Sequence, residues 1–326
     1  MTGLSEETAS LEKLQRAEAA TKIAIWSELG SWEGPLREFA RLSNPEADLD
    51  RRLKFFSWEI ASRVQQAAHE YVKNQTRETS DLAHEKLSGE MAAELELKAL
   101  NTVFFEDLGF RKDKGIAALD TVLAKRMAPP ALLAMLYAWV AELFFRALRE
   151  QNNDLDSSGC KKFFKRIDLV FDTPTDVVRA VPCPSNDVGR VILLSLDNKG
   201  QRVADHLWCA WAEKSSDGFV AKTMAQALIA ALTELFVSLD LRDSRTLESL
   251  ERQLAILDMI IALQPSETQR LADRAILKTR LGQNQRALED LKRFFAFHEK
   301  SHAPAEIVSL FESLNNSATP KGPEWN

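Results

Sequence analysis

The segment from Pro129 to Leu148 reads PPALLAMLYAWVAELFFRAL, and it decides the fold class of the chain. Its apolar side chains occur nearly all around a helix rather than along one stripe, which is typical of a helix buried on every side. Proline is tolerated in the first helical turn, where no backbone hydrogen bond is lost. We therefore predict that a central buried helix follows Pro129-Pro130 and forms the core of the fold.

Helices and a small sheet are predicted around this segment. Upstream, apolar residues spaced by three or four from Leu53 to Ala67 form the stripe of an amphipathic helix. Downstream, short runs of β-branched or aromatic residues predict an antiparallel sheet, at 167–171, 177–181, 190–196 and 207–212. Helices resume from Val220. With 12 glycines and 11 prolines in 326 residues, the composition also favours helices. The predicted class is α+β, predominantly helical.

An internal repeat is visible near the C-terminus. A shift of 34 residues places Leu254, Leu257, Ile260, Ile261 and Leu263 on Leu288, Leu291, Phe294, Phe295 and Phe297. This is the period of tetratricopeptide repeats, in which each helical hairpin buries its face against the next. Gly282 falls at the turn between helices, and Ala275 and Ala287 are small where two helices approach. Antiparallel helices with coincidental spacing stay the alternative, because a single repeat is a weak signal.

Three segments carry a resemblance to a known family: ALNTVFFEDLGF at 99–110, LDTVLAKR at 119–126 and LYAWVA at 136–141. They resemble the bacterial SirB-type family, whose members join a transglutaminase-like, papain-like core to tetratricopeptide repeats. The resemblance extends loosely from about residue 40 to 300. Together with the helical pattern of the sequence, it predicts four regions: an N-terminal helical region at 1–80, the core at 81–218, tetratricopeptide-like helices at 219–314 and a flexible tail at 315–326.

The same resemblance implies a degenerate catalytic site. The wider superfamily performs acyl transfer or hydrolysis with Cys, His and Asp, the nucleophile at the start of the central helix and its partners on adjacent strands. The equivalent positions here are Leu132, Asp176 and Ser195. Leucine has no nucleophilic atom, and aspartate stands where histidine would. We therefore expect a pseudoenzyme that uses no cofactor and no metal.

A relocated thiol is the alternative, which would make the chain a cysteine hydrolase or transamidase. The three cysteines, Cys160, Cys183 and Cys209, include no CxxC pair, so neither a disulfide framework nor a zinc site is predicted. His206 and Cys209 are three residues apart, and a strand would place them on opposite faces because its side chains alternate. A catalytic pair at that place is therefore not expected.

The leading hypothesis is a regulatory or scaffold protein that binds a protein partner through its helical repeats or its vacated cleft. Four basic residues spaced along one predicted helix could meet an acidic partner: Arg270, Arg274, Lys278 and Arg280. A solvated helix face is the other interpretation of these four. A transcription-related regulator is a third hypothesis, suggested by the resemblance alone. The net charge of -6 opposes general nucleic-acid binding, which depends on Lys and Arg neutralising phosphates.

The location follows from the apolar pattern. The N-terminal 20 residues lack the apolar region of a secretion signal. The longest nearly uncharged apolar stretch, 128–141, is shorter than the roughly 20 residues of a membrane helix. We therefore expect a cytoplasmic protein without a membrane span.

Overall fold

The structure is a computed structural model that describes residues 2–29, 31–44, 49–81, 89–113, 119–153, 164–170, 177–182, 192–204, 223–243 and 246–318. The chain divides into two compact units. One comprises Trp26–Glu234, and the other comprises Met1–Ile25 together with Leu235–Asn326. This division differs from the predicted boundaries at residues 80 and 218.

Seven helices among the described residues precede the repeat region. They are α1 (Thr2–Leu29), α2 (Glu33–Ser43), α3 (Leu49–Asp81), α4 (Gly89–Asn101), α5 (Leu119–Lys125), α6 (Pro130–Asn153) and α7 (Met224–Asp243). The prediction of a central helix at Pro130 is confirmed, since every residue from 131 to 141 is buried. Helix α3 packs along α6. Each large apolar side chain that α6 buries stabilises the fold by about 1.5–3 kcal/mol.

Helix α6 also passes a test of length and composition for crossing a membrane. Among the described residues, Pro130–Gln151 is the one helix long and apolar enough to do so. However, 83% of its most apolar window is buried inside the fold. The chain's own side chains therefore account for its apolar composition.

The strands form two small sheets in the described residues. Strand β1 (Arg111–Lys112) pairs in parallel with β2 (Met127–Ala128), a pairing that the sequence did not predict. The second sheet is antiparallel, as predicted, in the order β3 (Phe164–Val170), β4 (Val177–Pro182), β5 (Ile192–Ser195) and β6 (Gln201–Arg202). The strand predicted at 207–212 lies outside the described residues.

A π-helical turn, Thr102–Asp107, continues α4. The backbone N–H of Leu108 donates to the carbonyl of Val103 across five residues at 2.8 Å. Gly109 then leaves the helix with a φ of +71°, a conformation that a residue with a Cβ adopts only at a cost. Such π-turns inside or at the end of α-helices are frequent at functional sites.

The repeat region consists of α8 (Leu247–Leu263), α9 (Gln269–Arg280), α10 (Asn284–Phe295) and α11 (Ala305–Ala318). The turn between α9 and α10 is a Schellman motif around Gly282, whose φ is +72°. In it, Gln283 N–H donates to Lys278 C=O at 2.8 Å and Gly282 N–H donates to Thr279 C=O at 2.9 Å. Ala275 and Ala287 are fully buried in one apolar cluster, as the repeat predicted. Helix α11 continues past the predicted boundary at residue 314.

Candidate functional site

The start of α6 is the place where the resemblance puts the nucleophile. Leu132 lies in the first turn and has 0% of its surface exposed. The neighbouring Ala131 N–H donates to both carboxylate oxygens of Glu234, each at 3.1 Å. A carboxylate is stabilised at a helix N-terminus by the unpaired N–H groups and the helix dipole. An aliphatic side chain and the chain's own carboxylate therefore occupy this helix end.

The hydrogen bond between the Ala131 N–H and Glu234 could not be predicted from the sequence. Glu234 is 103 residues away from Ala131 along the chain, on α7, and no motif marks it. A carboxylate bonded to a helix N-terminus is recognisable only when the two elements are seen side by side.

The second equivalent position, Ser195, ends β5 and is 4% exposed. Its Oγ is buried and has no hydrogen-bond partner in the part of the chain that the structure describes. Val177 on β4 pairs with Ser195, while Asp176 lies outside the described residues. Cys160, Cys183, His206 and Cys209 lie outside them as well. The relocated thiol therefore stays a hypothesis.

A cleft of about 740 Å³ is lined by the π-helical turn, β1 and the turn that follows β5. Its charged lining comprises Glu106, Arg111, Lys112, Asp197 and Lys199. A second cavity, near Trp139, has a volume of about 20 Å³, which is room for about one water molecule. Leu132 lines neither of these two cavities.

The walls of the cleft are tied together by polar contacts. The ion pair between Lys112 Nζ and Asp197 Oδ1, at 2.8 Å, joins β1 to the turn after β5. Asn101 Nδ2 donates to Gly200 C=O at 2.8 Å, and Asn101 Oδ1 accepts from the Tyr137 hydroxyl at 2.7 Å. Burial raises the pKa of Tyr137, so its hydroxyl stays a neutral donor. The cleft is therefore preformed.

Gly200 is required by this arrangement for two reasons. Its φ is +73°, and a Cβ built there would lie 2.1 Å from Asn101 Oδ1. Real Cβ atoms do not approach other atoms so closely, because atoms repel each other at that distance, and a close-packed interior leaves no room for them to move apart. The sequence does not reveal that Asn101 and Gly200 are in contact, since 99 residues separate them.

The prediction that Arg274 and Lys278 meet an acidic partner is wrong. Their exposed fractions are 2% and 6%. Arg274 forms a two-pronged ion pair with Asp290, through Nε at 2.9 Å and Nη2 at 2.6 Å, and its Nη1 binds Asp258 at 2.8 Å. Lys278 Nζ binds Asp290 at 2.8 Å. These charges hold α8, α9 and α10 together.

A sequence signal for this network did exist. Asp258 and Asp290 lie 16 residues before and after Arg274, which places one acid on each neighbouring helix of the repeat. Of the other two predicted basic residues, Arg270 is partly exposed and lies 3.3 Å from Asp273. Arg280 is exposed at the end of α9. These two alone of the four remain candidates for an outside partner.

No group of three or more His, Cys, Asp or Glu side chains that could hold a metal ion occurs among the described residues. The cysteines are not among those residues, so this finding concerns the helices and strands given above.

Comparison with known proteins matches two regions of the chain. Residues 64–144, from within α3 into α6, match the Transglutaminase-like superfamily. Residues 245–311, from α8 into α11, match the Tetratricopeptide repeat family. The chain carries a transglutaminase-like domain and a tetratricopeptide domain. The first match includes Leu132 and the π-helical turn, while the sheet with Ser195 lies beyond it.

The chain also has relatives among curated protein sequences. It is 24% identical over 225 residues to UPF0162 protein YchA of Escherichia coli strain K12, which is 65% of this chain and 74% of that protein. The protein of the same name from Escherichia coli O157:H7 matches with the same identity and coverage. No solved structure matches the chain significantly. The SirB-type assignment and the degenerate catalytic site stay predictions.

Proposed function

We propose that the chain is a non-catalytic cytoplasmic scaffold, a pseudoenzyme with a transglutaminase-like domain that binds a protein partner. The observation that carries this proposal is the start of α6. There a fully buried Leu132 stands at the position that the resemblance equates with the nucleophile, and the Ala131 N–H donates a hydrogen bond to Glu234.

The chemistry of the superfamily explains why this matters. A covalent acyl intermediate needs a nucleophilic atom that is activated by a base within hydrogen-bond reach. It also needs free N–H donors at the place where the oxyanion develops. Leu132 supplies no lone pair, and a carboxylate beside the helix end would repel a developing oxyanion. Both features oppose acyl transfer at this position.

The tetratricopeptide domain supports the binding half of the proposal. Stacked helical hairpins present extended surfaces that accept peptides or helices. The buried network of Arg274 and Asp290 fixes how α9 and α10 pack, so the domain offers a rigid surface.

The claim that the chain is non-catalytic is tested with an activated acyl ester and an acyl probe for thiols. We expect no turnover of the ester by the full chain. We also expect the variant Cys160→Ala/Cys183→Ala/Cys209→Ala to capture the same partners as the unaltered chain. Turnover that disappears in this triple variant would establish a relocated thiol and overturn the proposal.

The binding half is tested by cross-linked affinity capture from the native cell, followed by mass spectrometry. The full chain is expected to enrich a defined protein partner over a bait of unrelated sequence. Absence of any enriched protein, with the full chain folded by circular dichroism, would contradict a scaffold role.

A further inference from the structure

Among the described residues, the cleft beside the π-helical turn has more unpaired cations than unpaired carboxylates. Lys112 and Asp197 neutralise each other at 2.8 Å. Arg111, Lys199 and Glu106 remain, and none of their side chains has an ion pair or hydrogen bond with the described residues. All three side chains are exposed to solvent. Two cations thus face one carboxylate, which favours an anionic ligand.

The cleft also has an apolar wall. Phe105 is half-buried, and its ring contacts the ring of Phe104 edge to face, with centroids 4.9 Å apart. It also lies against the buried ring of Tyr137, at 6.0 Å. These neighbours hold Phe105 in place, so that its outer face is a fixed surface on which an apolar side chain can pack.

The backbone of the turn after β5, which also lines the cleft, is fixed as well. Lys199 has a φ of +51°, in the left-handed region that a residue with a Cβ rarely adopts. The Asn101 bond to Gly200 C=O, at 2.8 Å, holds the turn that contains it. A binding site that is formed before its ligand arrives loses less conformational entropy on binding.

We propose that this cleft binds an acidic peptide segment of the protein partner. Carboxylates of the segment would pair with Arg111 and Lys199, and an apolar side chain of the segment would pack on Phe105. The inference rests on the proposed scaffold function and names the site and the chemistry of its partner. A volume of about 740 Å³ is within the range of ligand sites, about 300–1,000 Å³.

Two features favour spaced carboxylates over a dense polyanion. Glu106 lines the same cleft and would repel a phosphate that approaches both cations at once. The net charge of -6 further opposes nucleic acid. An extended peptide can place its carboxylates apart, because successive side chains point to opposite sides.

The test uses the full chain and a fluorescein-labelled peptide, Glu-Leu-Glu-Phe-Glu-Leu, with binding measured by fluorescence anisotropy. The variant Arg111→Glu/Lys199→Glu should weaken binding by about tenfold or more, since two attractive pairs become repulsive. Glu106→Gln should strengthen binding by about two- to threefold, because it removes a repulsion. Lys125→Glu is the matched control, an exposed cation on α5 that does not line the cleft.

Several results would overturn the inference. One is that the unaltered chain binds the charge-reversed peptide Lys-Leu-Lys-Phe-Lys-Leu as tightly as the acidic peptide. Another is that Lys125→Glu weakens binding as much as Arg111→Glu/Lys199→Glu does. The third is that the acidic peptide does not bind at all. Free glutarate binding as tightly as the peptide would replace the inference with a small-carboxylate site. Partner capture that is unchanged by Arg111→Glu/Lys199→Glu would remove the cleft while leaving the scaffold function intact.

Discussion

The two domains use charged side chains in opposite ways. In the tetratricopeptide domain, Arg274, Lys278 and Asp290 are buried and satisfy one another. In the compact unit that contains the transglutaminase-like match, Arg111 and Lys199 are exposed and unpaired by the described residues, on walls joined by the Asn101 hydrogen bonds and the Lys112–Asp197 ion pair. Two of the four basic residues spaced along α9 are therefore structural, and the cations of the proposed binding cleft lie in a turn and a two-residue strand.

Breaking the buried network should give the largest effect. Asp290→Asn leaves Arg274 and Lys278 without their shared carboxylate, and an uncompensated buried charge costs about 3–5 kcal/mol. The free energy of unfolding from urea titration should fall by that amount. Asp273→Asn is the matched control, because Asp273 is partly exposed and its pair with Arg270 is worth less than about 1 kcal/mol.

Equal losses for the two aspartates would contradict the structural role of the network.

The rigidity of the cleft is tested by two glycines that share a left-handed conformation. Gly200→Ala forces a Cβ against Asn101 and should cost about 2–4 kcal/mol, combining backbone strain with overpacking. Gly109→Ala, where a Cβ meets nothing within 4 Å, should cost only about 1–2 kcal/mol of backbone strain. Thermal unfolding of both variants measures the difference. A milder effect of Gly200→Ala than of Gly109→Ala would show that Asn101 does not hold this wall.

The smallest expected effect concerns Glu142, a carboxylate whose side chain is 15% exposed. Burial raises its pKa, opposed by the hydrogen bond from Trp32 N–H at 3.0 Å and by Arg146. The folded state therefore holds this proton to a higher pH than the unfolded chain, whose pKa is near 4.5. Its contribution to stability is full below pH 4.5 and is lost as the pH rises through the raised pKa.

Glu142→Gln removes this titration while its amide oxygen can still accept from Trp32 N–H. The free energy of unfolding of the variant minus that of the unaltered chain, both from urea titration, should be higher at pH 7 than at pH 4. A difference of the opposite sign would mean that Arg146 and Trp32 outweigh burial.

The helical pattern was predictable wherever one physical requirement dominated. The continuous apolar run of α6 allows only a buried helix, and the 34-residue period predicted the hairpins of α8 to α10. Gly282 adopts the left-handed turn that its place between two helices requires. In each of these cases the deciding residues are neighbours in the chain, one helical turn apart or one repeat period apart.

The site could be predicted only in part. The resemblance singled out Leu132, whereas the hydrogen bond from the neighbouring Ala131 N–H to Glu234 could not be predicted. The face of α9 was misread because a pattern of basic residues carries no information on whether acids from α8 and α10 lie opposite. The cleft was not predicted, since its walls come from separate elements that are joined by Asn101 and by the Lys112–Asp197 pair.

By itself the sequence determined the buried central helix, the small antiparallel sheet, the repeat hairpins and the leucine at the head of α6. These depend on side-chain periodicity and residue identity, which are local properties. Only the tertiary structure decided which charges are enclosed and which face the solvent. The energy of a charge depends on its distance from water and from an opposite charge, and both distances are set by residues far away in the chain.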